Sequence, residues 1–182
     1  MSDKLSKGNE VGIEPINGEG WIHYRFHSGP QIRENRVVLL GTGTFVELQK
    51  GAEELMGMQA DAVFYDAGIR SGREGWHALH TELKEHGDSL IRRMFSFTDE
   101  NGFGWFKIKD LTIEPKDRRG SITVSNSFIA HTYGKAKKPV CHFIAGFLSG
   151  FISSEWGVEV ICDETSCSAV SGDVCVFEWE AV

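Results

Sequence analysis

The sequence lacks any run of the roughly eighteen apolar residues that a membrane-spanning helix needs, so no such helix is expected. Its opening residues, MSDKLSKGNE, have no apolar signal-peptide core. A cytoplasmic chain with reduced thiols is therefore expected, and metal binding is a better use of its cysteines than disulfides. Basic residues are outnumbered: 19 Lys and Arg stand against 26 Asp and Glu, a net charge of −7. That balance argues against a nucleic-acid footprint, which needs a basic face. Gly41-Thr42-Gly43 is not followed by the rest of a dinucleotide fingerprint, so a nucleotide loop is rejected. No Ser–His–Asp or Glu–Glu arrangement stands out. Internal repeats, low-complexity tracts and linkers are missing too.

What is present is globular. The 182 residues are 41% hydrophobic and 25% charged, enough for one domain with a real core. Residues 1–19 are polar and aperiodic and read as a flexible arm, leaving 20–182 as the domain. Trp21–Phe26 alternates like a strand, and Arg36–Leu40 is a second strand candidate. Thr44 with Glu47 reads as a capping box. The helix it opens would bury Phe45, Leu48, Ala52, Leu55 and Met56 and stop at Gly57. A second helix begins near Gln59, with Ala60, Val63, Phe64 and Ala67 in phase, and is punctuated by Gly68 and Gly72. A third segment carries Trp76, Leu79 and Leu83 and stops near Gly87. A short fourth carries Leu90, Ile91, Met94 and Phe95.

From residue 103 the period becomes strand-like. Phe106, Ile108, Leu111 and Ile113 suggest a strand with a bulge near Lys109-Asp110. Beyond the polar turn at 116–120, Ile122, Val124, Phe128 and Ala130 share one face of a hairpin partner. Pro139 starts the strongest helix, carrying Val140, Phe143, Ile144, Phe147, Leu148, Phe151 and Ile152. Its other side holds Ala145, Gly146, Ser149, Gly150 and Ser153, small enough for close backbone approach. Val158, Val160 and Cys162 form a strand. The last strand alternates Cys175, Phe177, Trp179 and Ala181 against Val174, Val176, Glu178 and Glu180. The economical fold class is α+β, an antiparallel sheet packed with helices.

Three cysteines crowd into residues 162–175, and the fourth is Cys141. Three thiolates and a carboxylate suffice for a closed tetrahedral Zn²⁺ site, which is structural. A buried free cysteine is also an ordinary small hydrophobe, so each alone says little. Four thiolates, with Cys162 in and Glu164 out, would make an ordinary zinc set as well. Cys162 and Glu164 share strand parity, so the residues alone leave both quartets open.

The segment PVCHFIAGFLSGFISSEWGVEVICDETSCSAVSGDVCVF, from Pro139 to Phe177, resembles the C-terminal signature of the 4-vinyl reductase domain family. The shared pattern is a Pro-Val-Cys helix start, a Gly-bearing helix, a Gly-hydrophobic strand, a Glu-x-x-Cys loop, then Gly and Cys before the last strand. Asn35–Leu40, Leu55-Met56-Gly57, Phe64–Gly68 and the Ser127-Phe128 strand before Gly134 also resemble it. The family is similar to the sensor domains of phenol-responsive transcriptional activators and to TRAPP vesicle-tethering subunits. The resemblance implies a ligand-binding fold of the NO-signalling and Golgi-transport type. It also implies zinc held by Cys141, Glu164, Cys167 and Cys175, with Cys162 outside.

It further implies a cavity for a small hydrophobic or aromatic molecule, with Phe64, Tyr65, Trp76, Phe106, Phe128 and Phe147 as candidate walls. His80 and His142 are candidate polar handles; His142 stands where the sensor domains usually carry an aromatic. The reading is a hydrocarbon-binding small-molecule sensor that works through a homodimer or a signalling partner. A tetrapyrrole carrier or accessory of bacteriochlorophyll synthesis is the first alternative, and a scaffold subunit the second. Catalysis is not favoured, since a four-ligand zinc has no open position and no hydride-donor motif is present.

Overall fold

The computed structural model describes residues 40–182 in full. Of the preceding chain it describes only the backbone of β1 (Gln31–Ile32) and β2 (Asn35–Arg36). These two form a short antiparallel ladder, Gln31 opposite Arg36 and Ile32 opposite Asn35. The expected arm, the Trp21–Phe26 strand and positions 37–39 lie outside the described residues.

From Gly41 the order is α1 (Thr42–Met56), α2 (Gln59–Leu83), α3 (Asp88–Thr98), β3 (Lys107–Glu114) and β4 (Arg119–Ser125). Then follow α4 (Phe128–Tyr133), α5 (His142–Trp156), β5 (Val160–Ser166) and β6 (Val174–Ala181). The last four strands form one antiparallel sheet in the order β3-β4-β6-β5. The expected bulge is there: the β3–β4 register shifts between Ile108 and Asp110. The inner face of the sheet carries Ile122, Val124, Val160, Cys162, Cys175, Phe177 and Trp179, all buried. The fold is α+β, as the change of period near residue 103 implies.

α5 lies between this sheet and α2, which is why it is apolar on every side. One side packs on the strands. Ser149 Oγ donates to the Val160 carbonyl at 2.7 Å, and Val160 N–H donates to Ser153 Oγ at 2.9 Å. The other side meets α2 through glycines on both helices. A Cβ on Gly68 or Gly72 would fall within 3.0 Å of the Phe143 or Phe147 carbonyl oxygen. One on Gly146 or Gly150 would meet Tyr65 or Ile69 backbone as closely. Gly68 and Gly72 therefore do not punctuate α2. They lie inside one continuous helix that runs through the expected break to Leu83, because their missing side chains let α5 in. The face of α2 turned to α5 follows these glycines, so Val63 and Ala67, expected inward, are exposed.

Other expectations are corrected. α1 starts at Thr42 behind Gly41 with no side-chain cap, so Thr44 is already helical and the capping box does not form. Its buried residues are Val46 and Gln49, while Leu48, Leu55 and Met56 face outward. The polar Gln49 and Glu53 turn inward because they find partners there. Phe128 and Ala130 belong to α4 and not to a strand. Asn126 takes a positive φ of 54°, which carries the chain off the end of β4. α5 starts at His142, not Pro139, with Cys141 at its N-cap. Glu164 lies within β5, not in the loop after it.

No helix among the described residues is long and apolar enough to cross a membrane.

Candidate functional site

Four elements deliver one cluster. Cys141 caps α5, Glu164 comes from β5, Cys167 from the turn after it, and Cys175 from the start of β6. Cys141 and Cys167 are buried, Cys175 is buried opposite Val124, and Glu164 is half-buried. One donor atom from each of the four lies within 4.8 Å of the others. A zinc tetrahedron with bonds of ~2.3 Å has ligand–ligand edges of roughly 3.8 Å. The donors thus need to close by no more than about an ångström to grip an ion. The two quartets left open by the residues are separated here. Cys162 has the same parity as Glu164 but pairs with Trp179, one repeat deeper in the core, and is not among the convergent donors.

The electrostatics show a group that fits a cation. Burial pushes the Cys141 thiol well above its ordinary range. Hydrogen bonds donated by Cys141 and Cys175 hold Cys167 far below it, as the thiolate. Burial and then the adjacent Cys167 charge raise Glu164 to about 8. Glu164 Oε2 accepts the Cys141 backbone N–H at 2.8 Å, whereas Oε1 is buried with no partner. A buried, unpartnered carboxylate oxygen facing three sulfurs is what a bound divalent ion would satisfy. Ser127 Oγ sits 3.3 Å from Cys141 Sγ, and Ser168 N and Oγ each lie 3.4 Å from Cys175 Sγ. These contacts orient the sulfurs from behind. No spacing rule in the sequence points to either serine.

The eight candidate pocket residues fall into separate groups. Phe64, Phe128 and Phe147 join Phe45, Trp105 and Phe143 in one aromatic cluster, with ring centroids from 4.9 Å (Trp105–Phe147) to 6.2 Å (Trp105–Phe128). Phe45, Trp105 and Phe143 are not among the eight. Phe143 carries a usable signal, since it stands four residues before Phe147 on the same helical face. Trp76 and His80 stack at 4.5 Å at the far end of α2, where Trp76 Nε1 donates to Glu155 at 2.7 Å. Tyr65 OH accepts the Cys162 N–H at 3.1 Å, covering part of edge strand β5. Phe106 is fully buried in the core. His142 lies 3.4 Å from Asp61 and is lowered by burial.

Two surface concavities lie elsewhere. One of about 550 Å³ is on the outer face of the sheet, around Glu114, Asp163 and Glu178. The other, about 400 Å³, adjoins Ser168 and Gly172. None of the eight lines either.

Fold and cluster together define an α+β protein whose central helix springs from a Cys₃Glu group. The family model of the vinyl-4-reductase domain matches residues 121–181, the stretch that supplies all four of those side chains, and this is the family whose signature the C-terminal motif resembles. Among solved structures, the phenol-responsive sensory domain of the transcription activator PoxR, with phenol, is similar with a TM-score of 0.64. Identity is 20%, over 81% of this chain and 78% of that one. A vinyl-4-reductase family protein from Methanocaldococcus jannaschii is similar at TM-score 0.50 and 20% identity, over 83% and 86% of the two chains. A trafficking protein particle complex subunit 3 from Naegleria fowleri, covalently bound to palmitic acid, gives 0.57 at 9% identity, over 78% and 95%. At these identities the likeness is one of fold. No curated protein matches the sequence.

Proposed function

We propose that this chain is a zinc-stapled domain that binds a small hydrophobic or aromatic molecule and reports its presence by a change of shape. The observation that carries this reading is the sharing of α5. Its N-cap, Cys141, belongs to the Cys₃Glu cluster, and its first two turns bear Phe143 and Phe147 of the half-buried aromatic cluster. Zn²⁺ suits three thiolates and a carboxylate, and would join the start of α5 to β5 and β6. A flat apolar ligand entering among these rings would have to part α1, α4 and α5, and so would press on the zinc-anchored helix. The phenol bound by the PoxR domain supports an aromatic ligand, and output would pass through a homodimer or a signalling partner.

The test is thermal shift of the zinc-loaded protein against phenols, fatty acids and porphyrins. Phenols are expected to raise the melting temperature by mass action. A response to fatty acids alone would move the reading to lipid binding, and a response to porphyrins alone to a tetrapyrrole carrier. No response to any of them would leave a filled scaffold, like a tethering subunit, as the better account.

A further inference from the structure

We propose that Gln49, on α1, is a positioning residue for the metal centre and acts on Glu164 through a single peptide group. The inference rests on the zinc reading above. Gln49 is 1% exposed, although it is polar and in mid-helix. Its Nε2 donates to the Val140 carbonyl at 3.0 Å and to Glu53 Oε1 at 3.0 Å. The Val140 carbonyl and the Cys141 N–H are the two ends of one peptide unit. That unit is trans, so the two ends point in opposite directions. The N–H end donates to Glu164 Oε2 at 2.8 Å. Holding the carbonyl therefore sets the tilt of the plane, and the tilt aims the N–H.

The consequence falls on the carboxylate. With Oε2 held by the peptide, Oε1 is left buried, unpartnered and turned to the sulfurs, which makes it the oxygen that meets the ion. Without Gln49 the peptide is free to rotate, and Glu164 loses the contact that keeps it a one-oxygen ligand. A side chain far from Val140 in sequence thereby controls the geometry of a centre it does not touch. The same side chain is tied through Glu53 to Tyr133 on α4, whose hydroxyl donates to Glu53 Oε2 at 2.5 Å. That second arm does not reach the peptide, so it serves as the control.

The experiment is competition of Zn²⁺, and of Co²⁺, between the full chain and a chromophoric chelator. It compares the wild type with Gln49→Met, Gln49→Glu, Tyr133→Phe, Glu164→Ala and the pair Gln49→Met with Glu164→Ala. Loss of a group that orients a ligand typically weakens metal affinity by about 10–100-fold. A loss in that range is expected for both Gln49 variants, with a changed Co²⁺ absorption spectrum, and none for Tyr133→Phe. In the Glu164→Ala background, Gln49→Met should add little, because the end of the relay is gone. Equal losses in both backgrounds, or a comparable loss in Tyr133→Phe, would show that Gln49 acts only on general stability and overturn the proposal. Unchanged affinity in the Gln49 variants would do the same. A wild type that takes up no metal fails differently: it removes the metal centre itself, and the relay with it.

Discussion

Glu164 presents its two oxygens to different worlds, one to a backbone N–H and one to three sulfurs. This division explains why a carboxylate can stand where a fourth thiolate would be softer. It reaches the cluster from within β5 while Cys162, two residues earlier, stays in the hydrocarbon core. Cys162→Ala should therefore keep one zinc per chain in elemental analysis. Cys167→Ala and Cys175→Ala should each lose the zinc and fold poorly, since metal binding and folding are linked. Loss of zinc in Cys162→Ala would bring back the four-thiolate quartet. The metal side chains were legible in sequence because their spacing and types are restrictive. Gln49 was not, because periodicity searches count apolar residues and a buried amide in an amphipathic helix looks like surface.

At the scale of elements, the α2–α5 contact is the tightest joint in the molecule. Adding a methyl group at Gly72 or Gly146 pushes one backbone into the other, with no flexible side chain to yield. Gly72→Ala and Gly146→Ala should each destabilise by about 1–3 kcal/mol or more, as overpacking does. Gly43→Ala and Gly51→Ala on α1 meet nothing within 4 Å. They should stabilise by about 0.4–1 kcal/mol through the unfolded chain. Urea unfolding midpoints of the four variants check both signs. Reading α2 as two helices followed from treating glycine as a breaker. In this context a partner helix repays the lost propensity, and only the partner's position reveals it.

For the molecule as a whole, alkaline stability carries the signature of the α1–α4 joint. Burial, and then the hydrogen bond to Glu53, raise Tyr133 from 10.0 to about 12. A folded-state value above the unfolded one favours the protonated phenol. The contribution is full below pH 10 and is lost as pH climbs through about 12. The difference in melting temperature between wild type and Tyr133→Phe should be largest near neutral pH and shrink across that window. A difference independent of pH would mean that the phenol is not linked to folding.

The order of residues by itself determined the helix-then-strand division, the β3 bulge, the all-round apolar α5 and the four donor positions. Each of these is a local period or a rare residue type, so it survives without knowledge of neighbours. Only the tertiary structure decided that α2 is unbroken, that α1 turns polar residues inward, and which of Cys162 and Glu164 faces the sulfurs. Those choices depend on what lies across the interface. A glycine, an amide or a strand parity has no fixed meaning until the opposing surface supplies a backbone, a carbonyl or a cluster of thiols.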